Sequence, residues 1–140
     1  MELRLRYPPT PEAAPRHAAL CVSAALVIYD IDLDYTSESL RVVDDILGHM
    51  HQGGAAMERM AELLFAFGCY VGEVFVHQER GRWCRAEGTP LEEGAGFPLI
   101  LQLGPERYCN PIGKVFKRLA VGAEHGLWRF YAGLTPRELH

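Results

Sequence analysis

The sequence lacks the cysteine spacing of a metal or redox site. Its four cysteines, at positions 21, 69, 84 and 109, include no Cys-x-x-Cys pair, which argues against a zinc knuckle or a thioredoxin-type centre. Cys21 and Cys69 fall in apolar helical patterns, where a free thiol behaves as a small hydrophobic group. Cys84 and Cys109 fall on two predicted strands, and their spacing leaves open whether they form a disulfide.

No segment has the pattern of a secretion signal or of a membrane span. The basic opening, Met1–Arg6, is followed by a proline-rich polar segment rather than by the apolar core of a signal peptide. The apolar run Ala18–Tyr29 is too short to cross a bilayer and ends at Asp30. We therefore expect a cytoplasmic protein with no membrane contact.

The sequence also lacks an excess of basic residues. It has 14 Lys and Arg against 18 Asp and Glu, for a net charge of −4, whereas nucleic-acid-binding proteins usually have a basic balance or a basic face. We therefore do not expect a nucleic-acid partner. The motifs GxSxG, GxxxxGK[ST], GxGxxG and HExxH are missing as well, and we expect no cofactor.

What the sequence does contain is typical of one globular domain. A length of 140 residues, with 49% hydrophobic and 23% charged residues, supplies enough apolar side chains for a single core. Residues 1–14 hold three of the nine prolines and are predicted to form an irregular N-terminal arm. Residues 15–140 are predicted to form the globular domain.

Hydrophobic periodicity predicts an α+β fold. Four to five helices surround one long central helix at about residues 55–79, followed by a small two- or three-stranded antiparallel sheet at about 82–109. Val27–Tyr29, at the end of the first predicted helix, also fits a strand. The remaining helices are predicted at 15–30, 36–51, 110–122 and 126–132, and the strands at 82–86, 97–103 and 106–109.

The long helix carries two glycines, Gly68 and Gly72, one turn apart on its apolar stripe. Because each glycine costs a helix about 1 kcal/mol relative to alanine, we expect another backbone to approach closely there. Glu73 lies beside this stripe and is expected to be partly buried. A buried carboxylate requires a partner, for which the sequence offers Arg82 or a cation of the 110–122 helix.

Glu73 and His77 form a second pattern, since residues four apart share a helix face. A carboxylate and an imidazole so placed are weak candidates for a metal site or an acid–base pair, but no motif supplies the further ligands a metal requires. We therefore predict an ordinary surface pair, no metal site and no catalytic residue.

A set of polar and aromatic residues is nevertheless a candidate ligand-binding site. Two interpretations are open: ion pairing that joins the long helix to the sheet, or a pocket for an anionic or peptide ligand. The candidate residues are Tyr70, Glu73, Arg82, Trp83, Asn110, Lys114 and Arg118.

Several short segments together resemble a known family. They are Leu33–Leu40 (LDYTSESL), Phe67–Glu73 (FGCYVGE), Gly81–Trp83 (GRW), and Asn110–Pro111 followed by Lys114–Arg118 (KVFKR). Over residues 30–131 the chain is similar to a bacterial family of unknown function, common in actinobacteria and proteobacteria. That family has no established activity, so the resemblance implies no catalytic residue. The residues that match its motif positions are Gly68, Tyr70, Gly72, Glu73, Trp83 and Pro111.

These observations favour a non-enzymatic protein-binding module of a regulatory or immunity type. The paired glycines and the missing catalytic motifs are the grounds for this expectation, with a protein partner or self-association as a homodimer. The alternative is a small ligand-binding protein or enzyme with a polar site around Glu73, Arg82, Asn110 and Lys114.

Overall fold

The computed structural model describes residues 4–54 and 56–135, and within them five α-helices and one three-stranded sheet. A 3₁₀ helix, Ala123–His125, separates the last two α-helices. In chain order the elements are α1 (Ala14–Tyr29), α2 (Ser39–Gln52), α3 (Met57–Glu79), β1 (Arg82–Arg85), β2 (Leu99–Gly104), β3 (Arg107–Cys109), α4 (Pro111–Val121) and α5 (Leu127–Leu134).

The predicted α+β fold with a long central helix is confirmed. Each predicted helix and strand is present, with boundaries that differ by a few residues. Residues 27–29, which also fitted a strand, continue α1 as helix. Residues 4–13 contain turns and irregular backbone; residues 1–3 lie outside the described residues, and the division into an arm and a globular domain stays a prediction.

The core is built around α3. Every residue from Leu64 to Phe75 is buried, because α1 packs on one side of this helix and α4 on another. Among the described residues, α3 is the one helix long and apolar enough to cross a membrane, and 72% of its most apolar stretch is buried inside the structure. Burial of that extent is also what a core helix shows.

Close packing explains the small residues of α1 and the glycines of α3. The side of α1 that faces α3 is a stripe of small, fully buried residues: Ala14, Ala18, Cys21 and Ala25. A Cβ on Gly68 would lie 2.5 Å from the Cα of Ile112, so the expected backbone approach is confirmed there. At Gly72 the neighbour is instead the Trp83 indole, which a Cβ would overlap.

The sheet has strand order β1-β2-β3, with both pairs antiparallel. Trp83 pairs with Leu101, which pairs in turn with Cys109, while Cys84 pairs with Ile100. Since successive side chains of a strand point to opposite faces, Cys84 and Cys109 lie on opposite faces of the sheet. All four cysteines are free.

Candidate functional site

The residues predicted as a ligand-binding site occupy four separate places. Tyr70, Glu73 and Trp83 lie where α3 meets β1, and Arg82 lies on the other face of β1. Asn110 and Lys114 lie in a cavity at the start of α4. Arg118 lies between α4 and α2. The structure therefore does not bring Glu73, Arg82, Asn110 and Lys114 into one cleft.

Glu73 is 6% exposed, and its partner is Trp83. The indole Nε1–H donates to Glu73 Oε2 at 2.8 Å, and His77 Nε2 lies 3.7 Å from Oε1. The predicted ion pair with Arg82 or with a cation of α4 is wrong, because Arg82 projects from the opposite face of β1. Glu73 does join the long helix to the sheet, but through a neutral N–H donor.

Tyr70 is fully buried, and its hydroxyl fixes the turn before α2. It lies 2.6 Å from Ser39 Oγ and accepts the backbone N–H of Tyr35 at 2.9 Å. Burial raises the pKa of the Tyr70 phenol to about 12, although both hydrogen bonds act in the opposite direction. These contacts assign Tyr70 a role in holding the chain between α1 and α2.

The His77 imidazole, about half exposed, stacks on Tyr35 with ring centroids 4.7 Å apart. Glu73 and His77 are therefore each engaged by an aromatic residue. Within residues 4–54 and 56–135, no group of three or more His, Cys, Asp and Glu side chains is placed to hold a metal ion.

Arg82 lines an open cavity of about 420 Å³ together with Arg80 and Gln102. Arg82 is exposed and pairs with Gln102 in the sheet register. Of the ionisable residues, only the two arginines line this cavity.

Asn110 caps α4, as its position before Pro111 predicts. Its Oδ1 accepts the Gly113 N–H at 2.9 Å, and its Nδ2 donates to the Ala95 carbonyl at 2.7 Å. Both ends of the amide are thus used to join α4 to the loop that precedes β2. Lys114, one turn further along α4, lines the same cavity as Asn110.

Arg118 is 7% exposed and pairs with Asp44, a residue outside the predicted set. The Asp44 carboxylate accepts Arg118 Nε–H at 3.1 Å, and it also accepts the N–H groups of Leu127 at 2.7 Å and Trp128 at 3.0 Å. Asp44 directly follows the buried Val43. An acidic residue beside an apolar stripe is the sequence signal that could have indicated a partly buried carboxylate at this position. The identity of its partners was not accessible from helical spacing.

The side of α1 that faces away from α3 is a further feature, which lies outside the predicted set of site residues. Four successive apolar residues at the end of α1 are exposed: Leu26 by 51%, Val27 by 83%, Ile28 by 60% and Tyr29 by 38%. Leu26 and Val27 lie on the side away from α3, whereas Ile28 and Tyr29 follow the line of the buried stripe beyond the end of its packing. We define the α1 outer face as the residues opposite the buried stripe by the 3.6-residue period, together with Asp30, the left-handed residue that ends the helix: Arg16, Ala19, Leu20, Ser23, Leu26, Val27 and Asp30.

Charge is confined to the two ends of this face. Between Arg16 and Asp30 the helix has no Asp, Glu, Lys or Arg, and both end residues are exposed. At 1.5 Å per residue, about 20 Å of helix separates Arg16 from Tyr29, the residue before Asp30. Monomeric proteins rarely expose contiguous apolar patches beyond a few hundred Å², and larger ones mark interaction sites.

Comparison of the chain with protein-family models, with curated proteins and with solved structures found no match. The resemblance to the bacterial family of unknown function stays a prediction.

Proposed function

We propose that this protein is a non-enzymatic protein-interaction module that self-associates through the α1 outer face. The observation that carries the proposal is the exposure of Leu26 and Val27 on a helix whose other side is already packed on α3. Fully burying one such side chain stabilises an interface by about 1.5–3 kcal/mol.

The spacing of the face supports a second copy of the chain as the occupant. In a two-fold dimer the same surface contacts itself, so two antiparallel α1 helices centred on Ser23 would place Arg16 opposite Asp30 of the other copy. The same register sets Ala19 against Val27 and Leu20 against Leu26. The first pairing joins opposite charges, the second joins a small residue to a larger one, and the third joins two leucines.

Charge also argues against a membrane surface as the occupant. The exposed end of α1 runs directly into Asp30, Asp32 and Asp34, which anionic headgroups would repel. A helix face that pairs with itself in antiparallel orientation has to be apolar in the middle and oppositely charged at its two ends. The α1 outer face has this arrangement, with Arg16 at one end and Asp30 at the other.

The experiment is sedimentation equilibrium of the wild type and of Val27→Glu over a concentration series. We expect a dimer for the wild type and a monomer for the variant, because a buried, unpaired carboxylate is costly. The matched control is Val121→Glu, which makes the same change at a valine that is 48% exposed at the end of α4. A wild type that stays monomeric throughout would refute self-association.

A charge swap tests the antiparallel register. Arg16→Glu should weaken the dimer by about tenfold, since each of two symmetric pairs turns repulsive. Adding Asp30→Lys should restore the affinity. Equal weakening by the single and the double variant would exclude this register while leaving the apolar face as the interface.

The regulatory or immunity role expected from the sequence stays a prediction. The alternative enzyme or ligand-binding site around Glu73, Arg82, Asn110 and Lys114 draws no support from the side-chain positions, because those residues lie in three separate places.

A further inference from the structure

The chain has only two lysines, Lys114 and Lys117, and both line one cavity. This cavity, which we call the lysine cavity, has a volume of about 390 Å³ and lies between α4, α5 and the loop before β2. That volume falls within the range of small-molecule sites, which runs from about 300 to 1,000 Å³.

The remaining walls of the lysine cavity are mainly apolar. They include Leu91, Ala95, Tyr108, Phe130 and Leu134. The Lys114 ammonium lies 5.7 Å from the centre of the Phe130 ring, so the cation sits at the junction between the apolar wall and the polar rim. A concave apolar surface with a few convergent polar groups is the usual form of a small-ligand site.

Neither lysine has an acidic partner among the described residues. The ion pairs found there join Arg41 to Glu38, His77 to Glu73 and Arg118 to Asp44. Lys114 instead donates to His125 Nδ1 at 3.1 Å. Loss of hydration and the charge of Lys117 lower the pKa of Lys114, while the charge of Asp44 raises it. The charged form of Lys114 is therefore under-compensated.

We propose that the lysine cavity binds a small molecule that joins a carboxylate to an apolar body, with Lys114 and Lys117 holding the carboxylate. The apolar body packs against Tyr108, Phe130 and Leu91. Asn110 takes no direct part, since its amide already bonds Gly113 and Ala95. This site is independent of the α1 outer face.

The test uses 2-naphthoate as the probe and 2-naphthalenemethanol as its neutral counterpart. Reductive methylation with ¹³C-formaldehyde labels the two lysines and the terminal amine while retaining their charge. We expect 2-naphthoate to shift both lysine methyl resonances saturably, and the alcohol to bind at least about tenfold more weakly. Saturable binding of the alcohol with equal affinity would overturn the role of the carboxylate.

Variants distinguish specific binding in the lysine cavity from nonspecific binding elsewhere on the protein. Lys114→Met with Lys117→Met should weaken 2-naphthoate binding by about tenfold or more, whereas Lys114→Arg with Lys117→Arg, which keeps both charges, should retain most of it. Arg85→Gln removes an exposed cation on β1, outside the lysine cavity, and should leave binding unchanged. Circular dichroism and thermal melting confirm that each variant is folded.

A pH titration of the labelled protein measures the pKa of Lys114, which the probe would not change if the lysines had a purely structural role. A bound carboxylate favours the charged ammonium, so saturation with 2-naphthoate should raise the pKa of Lys114, which burial and Lys117 lower in the free protein. An unchanged pKa in the presence of bound probe, unaltered binding by the double methionine variant, or no saturable shift at up to about 10 mM probe would each overturn the proposal.

Discussion

Asp44 and Arg118 form an ion pair, with Oδ1 and Nε 3.1 Å apart, that joins α2 to α4 across 74 residues of chain. Arg118 also donates from Nη2 to the backbone carbonyl of Asp44 at 3.0 Å. The same carboxylate accepts the first two backbone N–H groups of α5, from Leu127 and Trp128. One side chain thus satisfies the positive end of a helix and a buried guanidinium together.

Asp44→Ala should therefore lower the free energy of unfolding by about 3–5 kcal/mol, because it leaves Arg118 buried without its counter-ion and removes the cap of α5. Urea unfolding measures the change. The control is Asp45→Ala, the exposed neighbour on the same helix, which should change the free energy by no more than about 0.5 kcal/mol. Equal costs for the two variants would contradict the assignment.

Gly68→Ala should destabilise the protein by about 1–3 kcal/mol, although alanine is the better helix former. The added Cβ would lie 2.5 Å from the backbone of Ile112, and α4 would have to move. Gly133→Ala is the matched change in α5, where nothing lies within 4 Å of a Cβ, and it should stabilise by up to about 1 kcal/mol. Thermal or urea unfolding of both variants provides the comparison, and a stabilising Gly68→Ala would show that the approach of α4 is loose.

Only one thiol of the native protein should react quickly with a disulfide reagent. Cys84 is half-buried, whereas Cys21, Cys69 and Cys109 are buried, and burial raises the pKa of the Cys109 thiol to about 12. Reactivity follows the thiolate fraction and access, so Cys84→Ser should abolish the fast reaction. In denaturant all four should react; a count of two would mean that a disulfide is present.

Stability should fall with rising pH between about 10 and 12. The pKa of Tyr70 is about 12 in the folded protein against an ordinary value of 10, so in this interval the folded chain retains a proton that the unfolded chain releases. The free energy of unfolding therefore decreases as the pH rises towards and through the pKa of the folded state. Tyr70→Phe is less stable at neutral pH, because it loses the bonds to Ser39 and Tyr35, and should show a shallower decline. Parallel pH profiles for variant and wild type would argue against this contribution.

The elements of the fold were predictable because their signals are local. Helical periodicity defines α2 and α3, and Asn110 with Pro111 marks the start of α4 at the observed residue. The glycine at position 68 was also informative, since a helix tolerates it where a neighbouring backbone approaches closely. Each of these signals depends on residues within one or two turns of one another.

The partners of the buried polar residues were not predictable in the same way. Glu73 was expected to pair with a cation, but β1 turns Arg82 away and presents the indole of Trp83. Asp44 lies more than 70 residues from Arg118 and Leu127. The exposed end of α1 was hidden for a different reason: a helix that is apolar on every side is normally buried, and sequence cannot show which neighbour is missing.

The packing of α1 on α3 also sets an order of events during synthesis. The ribosome completes α1 at Tyr29, whereas its packing partner ends at Glu79; at about 5–20 residues per second the intervening chain takes about 3–10 s to appear. Throughout that interval the small-residue stripe and the outer face of α1 are both uncovered. Slow translation across residues 57–79 would lengthen the period in which the nascent α1 has no packing partner in its own chain.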